Sequence, residues 1–428
     1  MRLKIKNFGK VRSADICWEG LTVIAGRNDT GKSTIGKLFF SINKAMTGFR
    51  DIYNEDFGRL LSFECLSEIS RLLRLPNRGE LFSDGLIEKM GLLRSRAEKL
   101  RMNVNFFVEE KLKEEVVLLL QEMLSALGKG EQKESGNVLS SILRELQTPV
   151  SEATRFNFSL SALLRGSFDG KYNNSLHSEI PASLEYFVVD GGKPNLSFGI
   201  KNNKVDVVAL DVAPTNPFFL DTTLFEMPCL VDSRYRGGVF GNHSPATDFL
   251  EKMAAIRTGD KSLEKNELSA PIANVLGGAA FSVDSESREF RYRVDPAAEA
   301  LPLIDVASGA KAWGGISLLI DAGFIGKDSP LILDEPENHL HPEWQIAFAK
   351  FIVGLVAKGV PVLLTSHSPT LIHALIKASL KAGKLSAGTH FYFAKSEGDN
   401  FSSIEDVTGA TNKIFKDLSS PVEELWSE

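Results

Sequence analysis

Cysteine is scarce in this chain. Cys17, Cys65 and Cys229 are the only three in 428 residues, far apart and odd in number. No C-x-x-C pair occurs, so neither a disulfide framework nor a zinc site is expected, and buried thiols are the plain reading. Long apolar runs are missing too: no stretch of about twenty uncharged apolar residues is present, which speaks against a membrane-spanning helix. The opening MRLKIKNFGKV is basic but has no long apolar core, so it does not read as a signal peptide. A cytoplasmic protein with no membrane attachment is the expectation. Positive charge is not in excess either. Lys and Arg number 49 against 55 Asp and Glu, a net charge of −6, and no global basic field advertises nucleic-acid binding. Sustained heptads, repeats and low-complexity tracts are also absent, which excludes a long coiled coil or a solenoid.

What is present is ordinary globular material, 43% hydrophobic and 24% charged, in a length suited to a few domains or one large one with an insertion. Two blocks near its ends carry chemistry. The first, Gly26-Arg-Asn-Asp-Thr-Gly31-Lys-Ser-Thr34, has the form G-x-x-x-x-G-K-S. The apolar run Leu21–Ala25 precedes it and a helix-compatible run, Ser33 to about Asn43, follows. Strand, glycine-rich turn and helix form the context in which this pattern works as a phosphate loop. Backbone N–H groups from Gly26, Arg27, Asn28, Asp29, Thr30 and Gly31 through Thr34 would curl around the phosphates at a helix N-terminus. Lys32 would neutralise the outer phosphates and Ser33 would hold Mg²⁺, so ATP and Mg²⁺ are the expected ligands.

The second block is Leu331-Ile-Leu-Asp-Glu-Pro-Glu-Asn-His-Leu-His-Pro-Glu-Trp-Gln345. An apolar strand ends there in two acids. Asp334 would bind the metal and Glu335 would orient and deprotonate the attacking water, the division of labour that phosphoryl transfer needs. Downstream, the strand VLLTS runs into His367 within Thr365-Ser-His-Ser-Pro369, where a histidine can reach the γ-phosphate. Lys32, Glu335 and His367 are therefore the candidate catalytic residues.

Periodicity divides the chain into four stretches: 1–50 with the phosphate loop, a helical insertion over 51–165, a mixed β/α continuation over 166–300, and α/β alternation over 301–428. Strands are expected at Leu3–Phe8, Ala14–Cys17, Leu184–Val189, Leu196–Ile200 and Val205–Leu210, and a hairpin over Phe281–Val294. The spacing predicts helices over Val108–Leu127 and Phe249–Arg257. Pro214–Pro228 reads as a loop. The predicted fold is α/β, with a mostly parallel sheet, an antiparallel β portion and the helical insertion. Within the insertion Arg71, Arg74, Arg78, Arg94, Arg96, Lys99 and Arg101 alternate with glutamates, which reads as a solvated face with a nucleic-acid surface as the alternative.

Together GRNDTGKST, LILDEPENHLHPEWQ and LLTSHSPTLI resemble the ABC-type ATPase heads of SMC proteins, RecF and the OLD-family ATPases. They are most similar to the compact ATPases of bacterial antiphage systems such as Septu. The resemblance covers about the first fifty and the last hundred and thirty residues, the two halves of one P-loop head. It implies a homodimer closed around two ATP molecules, each completed by a signature turn from the other subunit. Here that turn corresponds to Val306–Lys311, with Ser308 and Gly309 as contacts. Ala307 stands where the family usually has serine. The glutamine that family members place against Mg²⁺ is not assigned to Gln121, Gln132 or Gln147. About sixty residues follow His367, too few for the TOPRIM nuclease of OLD proteins, so no intrinsic nuclease is expected, and Ser396–Asp399 is read as a hairpin turn. The resemblance implies an ATP-hydrolysing switch in antiphage defence that controls a separate nuclease or toxin. A RecF-like ATPase acting directly on DNA and a non-hydrolysing ATP-bound adaptor are the alternatives.

Overall fold

A computed structural model describes residues 1–74, 85, 87–92, 94–95, 110–126, 135–172, 179–188, 192–202, 204–211, 218–221, 243–295, 297–383 and 388–425. It resolves into two compact units, one of residues 1–47 with 160–428 and one of residues 48–159.

The first unit is built on an eleven-stranded sheet. Its central strands are β3 (Leu21–Gly26), β11 (Leu331–Asp334) and β12 (Val362–Ser366), and every residue in them is buried. Such uninterrupted apolar runs suit parallel strands covered on both faces. β12 lies between β11 and β3, parallel to both, and β13 (Thr389–Gly398) runs parallel along the other side of β3. The antiparallel portion comprises β1 (Arg2–Phe8), β2 (Val11–Cys17), β4 (Ala182–Phe187), β5 (Leu196–Lys201) and β6 (Lys204–Leu210), in the order β6-β5-β4-β1-β2. β14 (Phe401–Asp406) joins the two parts, antiparallel to β13 and parallel to β2. Asp399 and Asn400 turn the β13–β14 hairpin with positive φ at both.

One correction concerns the segment read as a loop over Pro214–Pro228. Phe218–Asp221 forms β7, the parallel edge strand beside β11. Phe219 is buried against Phe40, ring centroids 6.2 Å apart; the rest of that segment lies outside the described residues. A three-stranded antiparallel sheet is formed by β8 (Ala280–Val283), β9 (Phe290–Arg293) and β10 (Leu301–Pro302).

Helix α1 (Lys32–Leu73) leaves the phosphate loop and is broken at Gly48, whose φ of −135° is not helical. The unit boundary falls at the same residue. Four further helices serve the first unit: α5 (Pro245–Thr258), α7 (Ser308–Asp321), α8 (Pro342–Ala357) and α9 (Pro369–Lys381). Their apolar faces pack on alternate residues of the central strands, Leu21, Val23, Leu331, Leu333, Val362 and Leu364. Trp313 of α7 meets Phe348 and Phe351 of α8 edge to face at 5.1 and 5.4 Å. Short α6 (Ala270–Val275) and C-terminal α10 (Asn412–Leu425) complete this unit. The second unit holds the later part of α1, α2 (Glu110–Ala126), α3 (Ser135–Gln147) and the start of α4 (Glu152–Phe168). Phe49 packs on Phe156 there, and Tyr53 on Phe57 and Phe158. Arg71, Arg74 and Arg94 are exposed; Arg78, Arg96, Lys99 and Arg101 lie outside the described residues. No described helix is long and apolar enough to cross a membrane.

α5 carries a buried ionic knot. Ser244 caps the helix, its Oγ accepting the Thr247 N–H, and buried Asp248 bonds both Lys252 and Lys44 of α1. Burial works to raise the Asp248 pKa, but the charges of Lys252 and Lys44 outweigh it and hold the carboxyl below its ordinary value. A depressed carboxylate pKa stabilises the fold above the unfolded-state value and loses that contribution as pH falls through the folded value. Asp248→Asn should therefore destabilise the protein by about 3 kcal/mol at neutral pH. In thermal melts the gap between variant and wild type should narrow as the pH is lowered below about 4. A constant gap across that range would contradict the assignment.

Candidate functional site

The site forms at the C-terminal ends of the central parallel strands, where open α/β sheets place their ligands. β3 delivers the chain into the loop Arg27–Gly31, and α1 begins at Lys32. Asp29 has φ 65° and Gly31 has φ 79°, and a Cβ on Gly31 would come within 2.9 Å of Val11 Cγ2. Position 31 is thus restricted to glycine by conformation and by space. Gly26 meets the Ala394 carbonyl so closely that a Cβ would lie 2.6 Å from it. Arg27, Asn28 and Asp29 are exposed, Thr30 and Lys32 buried, Ser33 and Thr34 half-buried. Among the described residues the backbone N–H groups of Asp29, Thr30 and Gly31 make no hydrogen bond. They stand at a helix N-terminus beside a buried ammonium, which fits an anion such as a polyphosphate.

Neighbouring elements hold the loop. The Ser402 hydroxyl of β14 donates to the Thr30 carbonyl at 2.8 Å. Arg27 Nε donates to Asp417 of α10 at 3.0 Å, and its guanidinium also reaches the Asp417 carbonyl. Lys10 pairs with Asp29. Thr30 Oγ1 and Lys32 Nζ both donate to the Arg27 carbonyl, at 2.8 and 2.7 Å.

Register then aligns the chemistry. Asp334 pairs with Thr365, and Thr365 with Ile24, so three strand ends stand level. The Thr365 hydroxyl donates to the Asp334 carboxylate, and the Glu335 N–H donates back to Thr365. Glu335 lies 3.4 Å from Lys32 Nζ and 3.5 Å from His367 Nδ1. Its φ of 44° is unusual for a non-glycine residue and turns the chain sharply after the strand. Lys32, Glu335 and His367, more than three hundred residues apart at the extremes, are thereby brought into one cluster. Asp334 and Ser33 are the residues that would hold Mg²⁺, a hard cation that takes oxygen donors.

Glu337 was not singled out by sequence reasoning, yet the structure gives it a defined part. Its side chain is buried, and Oε1 accepts from Ser366 Oγ at 2.7 Å, from the His367 N–H at 2.8 Å and from the Ser368 N–H at 3.1 Å. His367 Nδ1 is 3.4 Å from the same oxygen. One carboxylate thus fixes the backbone on both sides of the histidine. Ser368 caps α9 and donates to Gln345 Oε1 at 2.6 Å, while Gln345 Nε2 donates to the Leu340 carbonyl. The available signal was the acidic spacing in Glu335-Pro-Glu337 beside the histidine strand, but only strand pairing shows which group the second acid holds.

Ser308 and Gly309 open α7, with Ala307 as the N-cap residue and no side-chain cap bond. Gly309 is buried where a Cβ would meet the Trp344 ring at 2.9 Å and the His339 carbonyl at 3.1 Å. Cys17, Glu19 and His390 bring three metal-capable donors within 4.8 Å at the opposite, N-terminal end of β3; a structural zinc site uses four.

The parallel strand ends, the phosphate loop and the acid–histidine cluster together form an α/β arrangement suited to holding a nucleotide triphosphate. Residues 242–373 match the family model described as "AAA domain, putative AbiEii toxin, Type IV TA system". Solved structures similar to this chain include the SMC head domain from Thermotoga maritima, at 13% identity, covering 95% of this chain and 98% of that one, TM-score 0.40. Another is the Smc head bound to the C-terminal winged-helix domain of ScpA, at 12% identity, 96% and 98% coverage, TM-score 0.42. A third is the Smc head with an extended coiled coil, bound to the C-terminal domain of ScpA, from Pyrococcus furiosus, at 10% identity, 99% and 98% coverage, TM-score 0.34. No curated protein matches.

Glu337→Ala should lower kcat roughly tenfold or more by releasing His367, with little change in KM. Glu337→Gln, which keeps an acceptor oxygen, should retain most of the rate. Steady-state ATPase kinetics on the two variants check this, and an unchanged kcat in Glu337→Ala would remove the positioning role.

Proposed function

We propose that this protein is an ATP-binding and ATP-hydrolysing switch whose nucleotide-driven dimerisation controls a separate effector, a nuclease or toxin, in bacterial antiphage defence. The observation that carries the enzymatic part is the convergence of Lys32, Glu335 and His367 on one strand edge beside the phosphate loop. The description of the family matched by residues 242–373, which names a toxin and a toxin–antitoxin system, supports a defence role.

The chemistry follows from the cluster. The phosphate loop and Lys32 hold the triphosphate, and Ser33 and Asp334 would hold Mg²⁺, which would supply charge neutralisation at the outer phosphates. Glu335 takes a proton from the attacking water, and His367, fixed by Glu337, faces the γ-phosphate. Lys32 Nζ stands 3.4 Å from Glu335, so a γ-phosphate would compete with that carboxylate for the ammonium. The signature turn at Ser308–Gly309 completes the site from a second subunit. Moving the open–closed equilibrium from 1:99 to 99:1 takes about 5.5 kcal/mol, or about 2.7 kcal/mol per nucleotide when two bind.

Glu335→Gln should keep nucleotide affinity, lose roughly 10²–10⁴-fold in turnover and accumulate as a dimer with ATP in light scattering. Undiminished turnover would exclude Glu335 as the base. Lys32→Ala should abolish nucleotide binding by calorimetry, and normal affinity would exclude the phosphate-loop assignment.

A further inference from the structure

α8, α9 and α10 enclose an open groove of about 880 Å³ on the surface of the first unit. Val353, Gly354, Ala357, Ala374, Ala378 and Phe415 give it an apolar lining. Lys350, Lys377 and Lys381 line it as well, exposed and without a carboxylate partner among the described residues. Among the described residues no acidic one lines it, although the chain as a whole carries a net charge of −6. Small side chains between two helices leave room for the apolar face of a third, and the three ammonium groups select the sign of its polar face. Ile346, 43% exposed, extends the apolar surface into an adjoining depression lined by Leu268, Pro271 and Val275.

The groove is joined to the nucleotide site through all three helices. α10 turns Phe415 and Ser419 toward it while Asp417 holds Arg27 of the phosphate loop. α9 places Pro369 and Thr370 on its wall, directly after His367 and Ser368. α8 carries Gln345, bonded to Ser368, beside Ile346. An occupant would touch three helices that are tied to the loop or to the histidine.

We propose that this groove is the docking site for an acidic amphipathic helix of a partner protein. The proposal rests on the reading above that a separate effector exists, and it names the surface that receives it. Two fluorescein-labelled peptides of about 18 residues, five helical turns, serve as probes. They share one leucine face and differ in carrying glutamate or lysine on the other. Fluorescence anisotropy with the full chain should show the acidic peptide binding roughly tenfold or more tighter than the basic one. The triple variant Lys350→Glu/Lys377→Glu/Lys381→Glu should reverse the preference, and the single Lys377→Glu should shift it partway. Gly354→Trp, at a position where a Cβ meets nothing within 4 Å, should block both peptides. Circular dichroism melts confirm folding of each variant.

Equal binding of the two peptides, no binding, or an unchanged preference in the triple variant would overturn the proposal. So would self-association of the wild type that Gly354→Trp abolishes, since the groove would then receive a second copy. ATP turnover of the wild type is measured in parallel. Peptide binding without turnover removes the switch and leaves the groove; turnover without peptide binding removes the groove alone.

Discussion

The structure depends on one constraint, the parallel register of β3, β12 and β11. Ile24, Thr365 and Asp334 stand level across three strands, so the chain leaves the sheet three times at the same edge. One exit becomes the phosphate loop, one the acidic turn, one the histidine turn. A slip of one residue in any pairing would move the exit by about 3.3 Å and reverse which face each side chain meets. The fully buried runs LTVIAG, LILD and VLLTS guard against that slip. Each is buried throughout, with α7, α8 and α9 packed on one face and Gly36 of α1 against Ile332 of β11 on the other.

Around this edge the polar groups form a connected set. Thr365 bonds Asp334 and receives the Glu335 N–H. Glu337 gathers Ser366, His367 and Ser368, and Ser368 continues to Gln345. Buried polar networks of this kind specify a single arrangement when their members are satisfied. Here the network leaves His367 Nδ1 and Glu337 Oε2 buried without a hydrogen bond, next to the place where the reacting phosphate would lie. The phosphate loop is fastened from the other side by Ser402 and Asp417, which come from the last elements of the chain.

Much of this was legible in the sequence because the chemistry is carried by contiguous motifs on strongly apolar strands. GRNDTGKST, LILDE and VLLTSH each declare a strand, a turn and a charged or polar residue in order, and the structure places their reactive groups together. The antiparallel strands Leu196–Lys201 and Lys204–Leu210 were visible from alternation and a polar turn. β7 was hidden because its four residues lie among prolines and phenylalanines, and its strand state comes from pairing with β11 rather than from local pattern. The Arg27–Asp417 tether spans 390 positions and has no local signature. Glu337 looked like one more acid in an acidic turn until β12 was placed beside it. The sequence boundary at residues 50–51 falls close to the break at Gly48, where helical spacing continues on both sides only because the helix resumes after one non-helical residue.

The central claim is that the phosphate loop and the acid–histidine cluster make one triphosphate site. Its most direct test is a calorimetric titration of the full-length wild type with a non-hydrolysable ATP analogue, with Mg²⁺ and then with excess chelator. The account predicts saturation at one nucleotide per chain with Mg²⁺ and a clear loss of affinity without it. No binding, or binding indifferent to Mg²⁺, would contradict it.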